Sequence, residues 1–549
     1  SGQACKFSVC VQPLLPTERS CVGQAMAQHL GSAECSRSVS ASRAKADDVM
    51  EVCVVGAGFS GLLCAVALRD QGVPLESICI LEAGPGCGGV WREGGVGDYP
   101  GAACDVEAYE YLPLLQRVGF VPSRKYVMQA EIGGYAALLA DRLGIMPSIR
   151  FNTRVVDARY READHGPALW EVKAEDGTSI YTQHLVMACG PLSTPKFPTI
   201  SGMGSFPGPT FHTAKWDHSV PLAGRRVGVV GTGASAAQVI TTIADSVEHL
   251  YVFQRTPVWA SPRNDEPTPD ELREKILGEG GYTDALRRAE VADFDNNIFP
   301  KLHDPAQNEE LKAEVLDIIR REIPDNAELR KQLTPDYPFW CKRVLFIDGY
   351  YSTFNKPNVS LVADPGGVVE ETSAGVKVAS GATYELDAII YATGFDPLRV
   401  AFPVVGRHGR TLAEHWGGDE LHRPRTLFGI HVSGFPNLHF ILGPQASNPL
   451  TNVTVISEDQ ARYVAALIRH MRDAGLGAVE PSSEAEEEWV RRSEKTVEGK
   501  VWTRCSNWYL KTSDGGEPFY GLWMETYAEY LRAALKREGG AEELLKFSA

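Results

Sequence analysis

The sequence predicts an α/β fold made of two Rossmann-like units with a helical insertion. Three observations carry this. Val52-Cys-Val-Val55 runs into Gly56-Ala-Gly58-Phe-Ser60-Gly61 and an apolar helical stretch, and a following strand ends on Glu82. Arg226–Val230 runs into Gly231-Thr-Gly233-Ala-Ser235-Ala236 and repeats the same order. From about residue 265 to 335 the apolar spacing becomes helical and charges crowd in, as in Glu309–Ile323. A chain of 549 residues is too long for one ordinary core, so two or three domains are expected.

Residues 1–49 form an N-terminal extension rich in Ser, Ala and Cys, without the apolar run of a signal peptide. A flexible arm is the plain reading. Ser36–Lys45 also looks like part of an organelle transit peptide, against which Glu18 and Glu34 count. A cytoplasmic location is expected, with a plastid or mitochondrion as the alternative.

The first glycine turn has the order that a dinucleotide-binding βαβ unit requires: strand, turn, helix, strand, acid. Gly56 permits the tight turn. Gly58 lets backbone amides approach a pyrophosphate, and Gly61 lets helix and strand pack closely. The helix N-terminus supplies positive potential to the phosphates. Glu82 can accept from both ribose hydroxyls, which suits the unphosphorylated ribose of FAD or NAD.

The second turn differs at its acid. After the strand Leu250–Phe253 the chain reads Gln254-Arg255-Thr256. A cation there suits a ribose 2′-phosphate, and an acid would repel it. The second unit is therefore expected to take NADP(H).

Two further strand-like runs end in glycine, His184–Gly190 and Leu386–Gly394, the latter on Ala-Thr-Gly. Ala-Thr-Gly of this kind occurs where a chain crosses between the two nucleotide domains of two-dinucleotide flavoproteins. The expected organisation is a discontinuous FAD domain (50–196 and 385–549) and an inserted NADP domain (197–384), with the helical insertion at about 265–335.

Composition narrows the partners. A net charge of −16 argues against nucleic acid, which needs a basic surface. No apolar run approaches a membrane span. The acidic stretch Glu484–Glu488 reads as a solvated helix face. The 12 cysteines include no Cys-x-x-Cys; Cys53, Cys64 and Cys79 read as small buried hydrophobes, no metal site is expected, and a reducing compartment fits.

The linker before the second turn reads Phe206-Pro-Gly208-Pro-Thr-Phe-His212-Thr213-Ala-Lys-Trp216-Asp217. It resembles the fingerprint of type I Baeyer–Villiger monooxygenases, flavin-dependent class B monooxygenases, at Phe206, Gly208, His212, Thr213, Trp216 and Asp217. The likeness continues in Gly88-Gly89-Val90-Trp91, Tyr99-Pro-Gly101 to Asp105, Tyr337 to Arg343, Tyr350 to Asn355, Gly434 to Leu438, Gly443-Pro444, Thr451-Asn452 and Ser506-Asn-Trp508-Tyr509. It spans roughly residues 50–530.

The resemblance implies an enzyme that uses FAD, NADPH and O2 to insert one oxygen atom beside a ketone carbonyl, giving an ester or lactone through a peroxyflavin. It implies Arg343 and Asp105 as the catalytic pair. Read without the motif, Arg343 is more simply a structural ion pair, and Asp105 could be an N-cap or turn acid. At FAD the expected residues are Gly56, Gly58, Ser60, Gly61, Glu82, Val90, Trp91, Asp105, Tyr111 and Val155. At NADP(H) they are Gly231, Thr232, Gly233, Ala234, Ser235, Gln238, Arg255, Thr256, Lys342 and Trp508. Lys342 is otherwise a solvated lysine, Trp508 a core residue, and His212 a neutral structural histidine bonded to backbone. Tyr111-Leu-Pro-Leu-Leu115 is similar to a run in oxygenases of bulky ketones. The alternative reading is a flavin monooxygenase that oxygenates nitrogen or sulfur. A monomer or weak oligomer is expected.

Two stretches depart from the family pattern. Seven residues, three more than the family commonly has, separate Trp91 from Tyr99. After Trp508 the chain reads Tyr-Leu-Lys-Thr-Ser-Asp-Gly-Gly.

Overall fold

Strand β1 (Val49–Val55) is central to the larger sheet, and its side chains alternate between two cores. Val52 and Val54 enter one apolar cluster, Cys53 and Val55 the other. Burial on both faces is why Val52–Val55 shows no polar alternation. The computed structural model describes residues 49–162, 168–278, 282–397, 400–418, 423–446, 448–511, 519–536 and 542–548. The extension before residue 49 and the divergent stretch 512–518 lie outside the described residues. Those described belong to one compact unit, Ala46–Ala549.

The larger sheet continues with β2 (Ile78–Leu81), β3 (Ile149–Arg150), β4 (Val155–Arg161), β5 (Leu169–Ala174) and β6 (Ser179–Met187). β1 pairs in parallel with β2, Val55 opposite Leu81, and with β6, Val55 opposite Met187. The helix Phe59–Asp70 is buried over most of its circumference and packs against the helices Gln129–Arg142 and Val453–Ala474. A helix apolar all round needs cover on every side, and these neighbours supply it.

The smaller sheet draws on β7 (Thr210–His212), β8 (Arg226–Val230) and β9 (His249–Gln254). The short β10 (Ala260–Ser261) and β11 (Leu345–Phe346) pair with each other in parallel. β12 (Val359–Ala363) follows, then an antiparallel meander of β13 (Val368–Thr372), β14 (Gly375–Val378) and β15 (Thr383–Glu385), then β16 (Ala388–Tyr391). The sheet order is β12-β9-β8-β16-β7, all parallel. Val227 and Val229 of β8 face one core, and Val230 faces the other.

β17 (Val404–Val405) and β18 (Leu438–Phe440) return to the larger sheet, whose order is β17-β4-β5-β6-β1-β2-β3 with β18 beside β6. The crossing back thus follows Tyr391. β16 belongs to the smaller sheet although it lies beyond the expected 384/385 boundary, because its apolar run pairs with β8 on one edge and β7 on the other.

Helices Asp270–Leu277, Tyr282–Asp293, Phe299–His303, Pro305–Glu322 and Ala327–Leu333 occupy the expected helical insertion. Arg287 anchors it. Its guanidinium pairs with Glu458 and donates to Thr454 Oγ1 at 3.0 Å and the Glu110 carbonyl at 2.7 Å, all in the interior.

Two sequence expectations fail. Glu486, within the acidic stretch, is buried, while Glu484, Glu487 and Glu488 are exposed. Its carboxylate accepts from the Ser433 amide at 2.7 Å and lies 2.7 Å from His415 Nε2. Cys53, Cys64 and Cys79 are buried thiols as expected, but Cys341 and Cys505 form a disulfide, which counts against the expected reducing compartment.

Candidate active site

The first glycine turn is built by backbone contact. Gly56 has φ +109°, and a Cβ there would stand 2.5 Å from the Ala188 carbonyl oxygen. A Cβ on Gly61 would fall 1.9 Å from the Gly56 oxygen, so the helix rests directly on the turn. Gly89 approaches Gly58 so closely that its Cβ would lie 3.0 Å from the Gly58 Cα. Val90 and Trp91 follow in a short 3-10 turn, and the Trp91 indole donates to the Tyr111 hydroxyl at 2.8 Å. The Ser60 hydroxyl lies 2.9 Å from that of Ser457.

Glu82 is buried at the end of β2. Its Oε2 accepts from the Ala57 amide at 2.8 Å and its Oε1 from the Gly84 amide at 2.7 Å. Each oxygen keeps a free lone pair for a ribose hydroxyl. Val155 opens β4 just beyond Thr153, whose amide donates to the Glu82 carbonyl at 2.8 Å. Glycine turn, helix N-terminus and buried acid thus fit FAD.

The second turn repeats the backbone but not the electrostatics. Gly231 has φ +119°, and its Cβ would meet the Ala392 oxygen at 2.5 Å. Nothing lies within 4 Å of a Cβ on Gly233, so that edge is open. Ala234 and Ser235 begin the helix Ala234–Ile243, and Ala236 packs fully buried. The Thr232 hydroxyl donates to the Thr256 carbonyl at 2.9 Å and draws the Arg255–Thr256 turn toward the loop. Arg255 is exposed. Lys342 is half-buried, its Nζ 4.7 Å from the Tyr337 ring centre. Burial and then the Arg255 charge push the Lys342 ammonium below its ordinary range, against an opposing pull from Asp336. Two cations that disfavour each other are a fit for a bound phosphate.

The two units meet at the segment leading to Asp105. Gln238, on the second-turn helix, accepts from the Tyr99 hydroxyl at 2.9 Å and donates to the Ala103 carbonyl at 2.8 Å. Gly101 has φ +81°, and a Cβ there would fall 2.5 Å from the Gln238 backbone carbonyl oxygen, so only glycine permits this approach. The residues between Trp91 and Tyr99 fold back as turns, with the Gly97 amide donating to the Val90 carbonyl at 2.7 Å.

Arg343 sits two residues before β11. Its Nε and Nη2 donate to Asp105 Oδ2 and Oδ1 at 3.0 and 2.9 Å, and its Nη1 to the Pro449 carbonyl at 2.7 Å. Burial works against its charge and is outweighed, chiefly by Asp105, so its pKa stands above the ordinary value. The pair opens on a cavity of about 460 Å³. Trp91, Tyr111, Ala234, Ser235, Gln238 and Trp508 also line it, with Leu192, Phe346, Val400, Trp416 and Phe440 as an apolar wall. Trp508 is 54% exposed, whereas its neighbour Tyr509 is buried. Among the described residues no cluster of His, Cys, Asp or Glu suits a metal ion, and no helix is long and apolar enough to cross a membrane.

The linker motif lies at the edge of the smaller sheet. His212 ends β7, and its Nδ1 accepts from the Ala214 amide at 3.0 Å. Burial lowers its pKa to about 4, so the ring is neutral near pH 7. Phe206 and Thr213 are buried, and Gly208 leaves room for the Phe206 ring. Trp216 packs against Phe211, and Asp217 closes an exposed turn on Ser219. None of these residues lines the cavity.

Three participants had no role assigned from the sequence, although Tyr99 and Tyr509 stand in the motifs that carry the resemblance. Tyr99 and the Pro449 carbonyl hold the Gln238 and Arg343 side chains, and Tyr509 forms part of the wall beside Arg343. Tyr509 was visible next to Trp508. A backbone carbonyl leaves no signature in a sequence.

Comparison with known proteins places the chain. The family described as flavin-binding monooxygenase-like matches residues 49–271. A Baeyer–Villiger monooxygenase of Streptomyces coelicolor is 35% identical over 510 residues, 88% of this chain and 90% of that protein. Pentalenolactone D synthase of Streptomyces arenae is 32% identical over 83% of each chain. Among solved structures, an oxidised steroid monooxygenase bound to NADP is 31% identical, with a TM-score of 0.78 over 91% of this chain and 99% of that one. Closed cyclohexanone monooxygenase is 28% identical, with a TM-score of 0.80 and the same coverage. With two glycine turns, a charged fork between them and relatives of this kind along nearly its whole described length, the chain belongs to the Baeyer–Villiger family of FAD-dependent class B monooxygenases.

Proposed function

We propose that this enzyme uses NADPH and O2 to insert an oxygen atom beside the carbonyl of bulky or cyclic ketones, giving esters or lactones. The observation that carries the assignment is the Asp105–Arg343 fork, which opens on a cavity lined by Trp91 and Tyr111 on one side and by Ala234, Ser235 and Gln238 of the second unit on the other. The apolar wall and the Tyr111–Leu115 run support large substrates. FAD, when bound, supplies the oxygen-activating chemistry, and NADPH the hydride.

The chain's own residues do the rest. Asp105 commits both carboxylate oxygens to Arg343 and so fixes the guanidinium plane. Arg343 keeps its charge at any working pH and has N–H bonds left over. It holds an oxygen anion in place and stabilises the negative charge that grows on the ketone oxygen. Trp508 covers the coenzyme side of the cavity, and the apolar wall excludes water.

Residues 50–196 with 385–549 hold FAD, apart from β16. Residues 197–384 hold NADP(H), with Arg255, Thr256 and Lys342 on the 2′-phosphate. We place the enzyme in the cytoplasm as a monomer or weak oligomer; a plastid or mitochondrion is the second location if residues 1–49 act as a transit sequence. A panel of ketones incubated with NADPH and air, with products read by mass, tests the function. A mass gain of one oxygen on cyclic ketones is expected. Oxygen transfer confined to amines or sulfides overturns it.

A further inference from the structure

The disulfide between Cys341 and Cys505 joins segments 164 residues apart in sequence. Cys341 lies two residues before Arg343, and Cys505 three residues before Trp508. The bond therefore ties the segment carrying the active-site guanidinium to the segment that covers the cavity. Cys341 is buried and Cys505 half-buried, so Cys505 is the more open side of the pair.

The same segments also meet by packing, since Val501, Trp502 and Tyr509 share an apolar cluster with Phe339, Trp340 and Val344, and through Asn507. The Asn507 amide donates to the Trp502 carbonyl at 2.7 Å and reaches the Cys341 carbonyl at 3.3 Å. Its Oδ1 accepts from the Tyr509 amide at 3.1 Å. The remaining described cysteines are poor partners in exchange, because thiol exchange needs a thiolate. Burial pushes the thiols of Cys64, Cys87 and Cys189 up to about 12.

We propose that Cys341–Cys505 is a redox switch: the disulfide clamps the Trp508–Tyr509 segment onto the Arg343 segment, and reduction by a dithiol releases it. A thiolate of the dithiol attacks the Cys505 sulfur, and the Cys341 sulfur leaves as a thiolate and takes up a proton. The second thiol of the reductant then displaces Cys505. Two electrons and two protons pass to the pair, leaving two cysteine thiols and the reductant's disulfide. Release loosens the cover over the coenzyme, so NADPH binds more weakly and more of its reducing power is lost as hydrogen peroxide. This consequence rests on the roles proposed above for Arg343 and Trp508.

The test uses full-length protein purified in air, with dithiothreitol as the dithiol. Peptide mapping without reductant is expected to find the Cys341 and Cys505 peptides joined, and to find them separate after dithiothreitol. Reduction is expected to raise the NADPH KM and the peroxide released per NADPH by roughly 5-fold or more, the low end of usual site-to-site couplings. It should also speed tryptic cleavage at the exposed Arg504, a readout that needs neither NADPH nor ketone. Cys505→Ser should behave as the reduced enzyme and ignore dithiothreitol; reoxidation of the wild type gives the same comparison without a variant. Unjoined peptides in the untreated protein would overturn the proposal, as would unchanged cleavage at Arg504 after reduction. Faster cleavage in a protein that oxygenates no ketone would uphold the switch and sink the functional reading instead.

Discussion

Arg343 and Asp105, 238 residues apart in sequence, meet edge to edge, with two N–H donors of one on the two oxygens of the other. A third donor of the same guanidinium is held by the Pro449 carbonyl. The side chain is thus fixed at three points before any substrate arrives. Preorganisation of this kind is what makes a donor effective in a transition state.

Arg343→Ala is expected to lower ester or lactone formation by ~100- to 1000-fold, the usual loss for one preorganised donor. FAD content and fold should survive, since the side chain borders a cavity and not a core. NADPH should still be oxidised, with release of hydrogen peroxide. Rapid mixing of the reduced variant with oxygen, followed by product analysis, checks this. Product at close to the wild-type rate would make Arg343 structural.

Arg255→Ala is expected to weaken NADPH and to leave NADH nearly untouched. Loss of one charge-assisted contact costs roughly 1.5–3 kcal/mol, or about 10- to 150-fold in affinity. Lys342→Ala should act in the same direction. Steady-state KM values for both coenzymes decide the matter; equal losses with NADPH and NADH would refute the assignment.

Gly61→Ala puts a methyl group where the Gly56 oxygen stands, so the helix must leave the turn. The purified variant should be colourless or lose its yellow flavin on gel filtration. Gly134→Ala is the control. Gly134 lies in the helix Gln129–Arg142 with nothing within 4 Å of a Cβ. It should keep FAD and gain roughly 0.5–1 kcal/mol of stability. Absorbance at the flavin band, per mole of protein, separates the two.

Stability should fall as pH drops from about 7 toward 4. Burial holds His184 and His212 at about 4 and His431 at about 3. In the unfolded chain each takes its proton near pH 6.5. Across that window the unfolded state binds more protons, so stability rises with pH and is lost on acidification. Each group contributes a slope of up to ~1.4 kcal/mol per pH unit. Urea unfolding at pH 7, 6 and 5 measures it. His184→Gln should flatten the slope, and an unchanged slope would show that His184 titrates normally in the native protein.

What the sequence showed and what it hid divide along a physical line. The two turns were legible because strand, glycines, helix and Glu82 or Arg255 follow one another along the chain. The linker motif was legible for the same reason. The Cys341–Cys505 bond was not, because nothing local in either segment names the other. Glu486 was hidden differently: its neighbours are solvated, and only the tertiary placement of Ser433 and His415 buries it. β16 looked like the first strand of a returning domain, yet its pairing with β7 and β8 is set by residues far upstream.

One buried carboxylate bears on how the two sheets can move. Glu371, on β13, accepts from the amides of Gly204 and Phe206 at 2.9 and 3.0 Å and from the Tyr391 hydroxyl at 2.9 Å. The outgoing linker is thereby welded to the smaller sheet well before β7 begins. The two connections lie side by side upstream of that weld, where the Lys196 amide donates to the Gly394 carbonyl at 2.8 Å and Pro195 bridges Phe395. A swing of the smaller sheet must therefore bend both connections together over that short paired stretch. The crossing between the sheets is thus one paired double strand and not two independent threads.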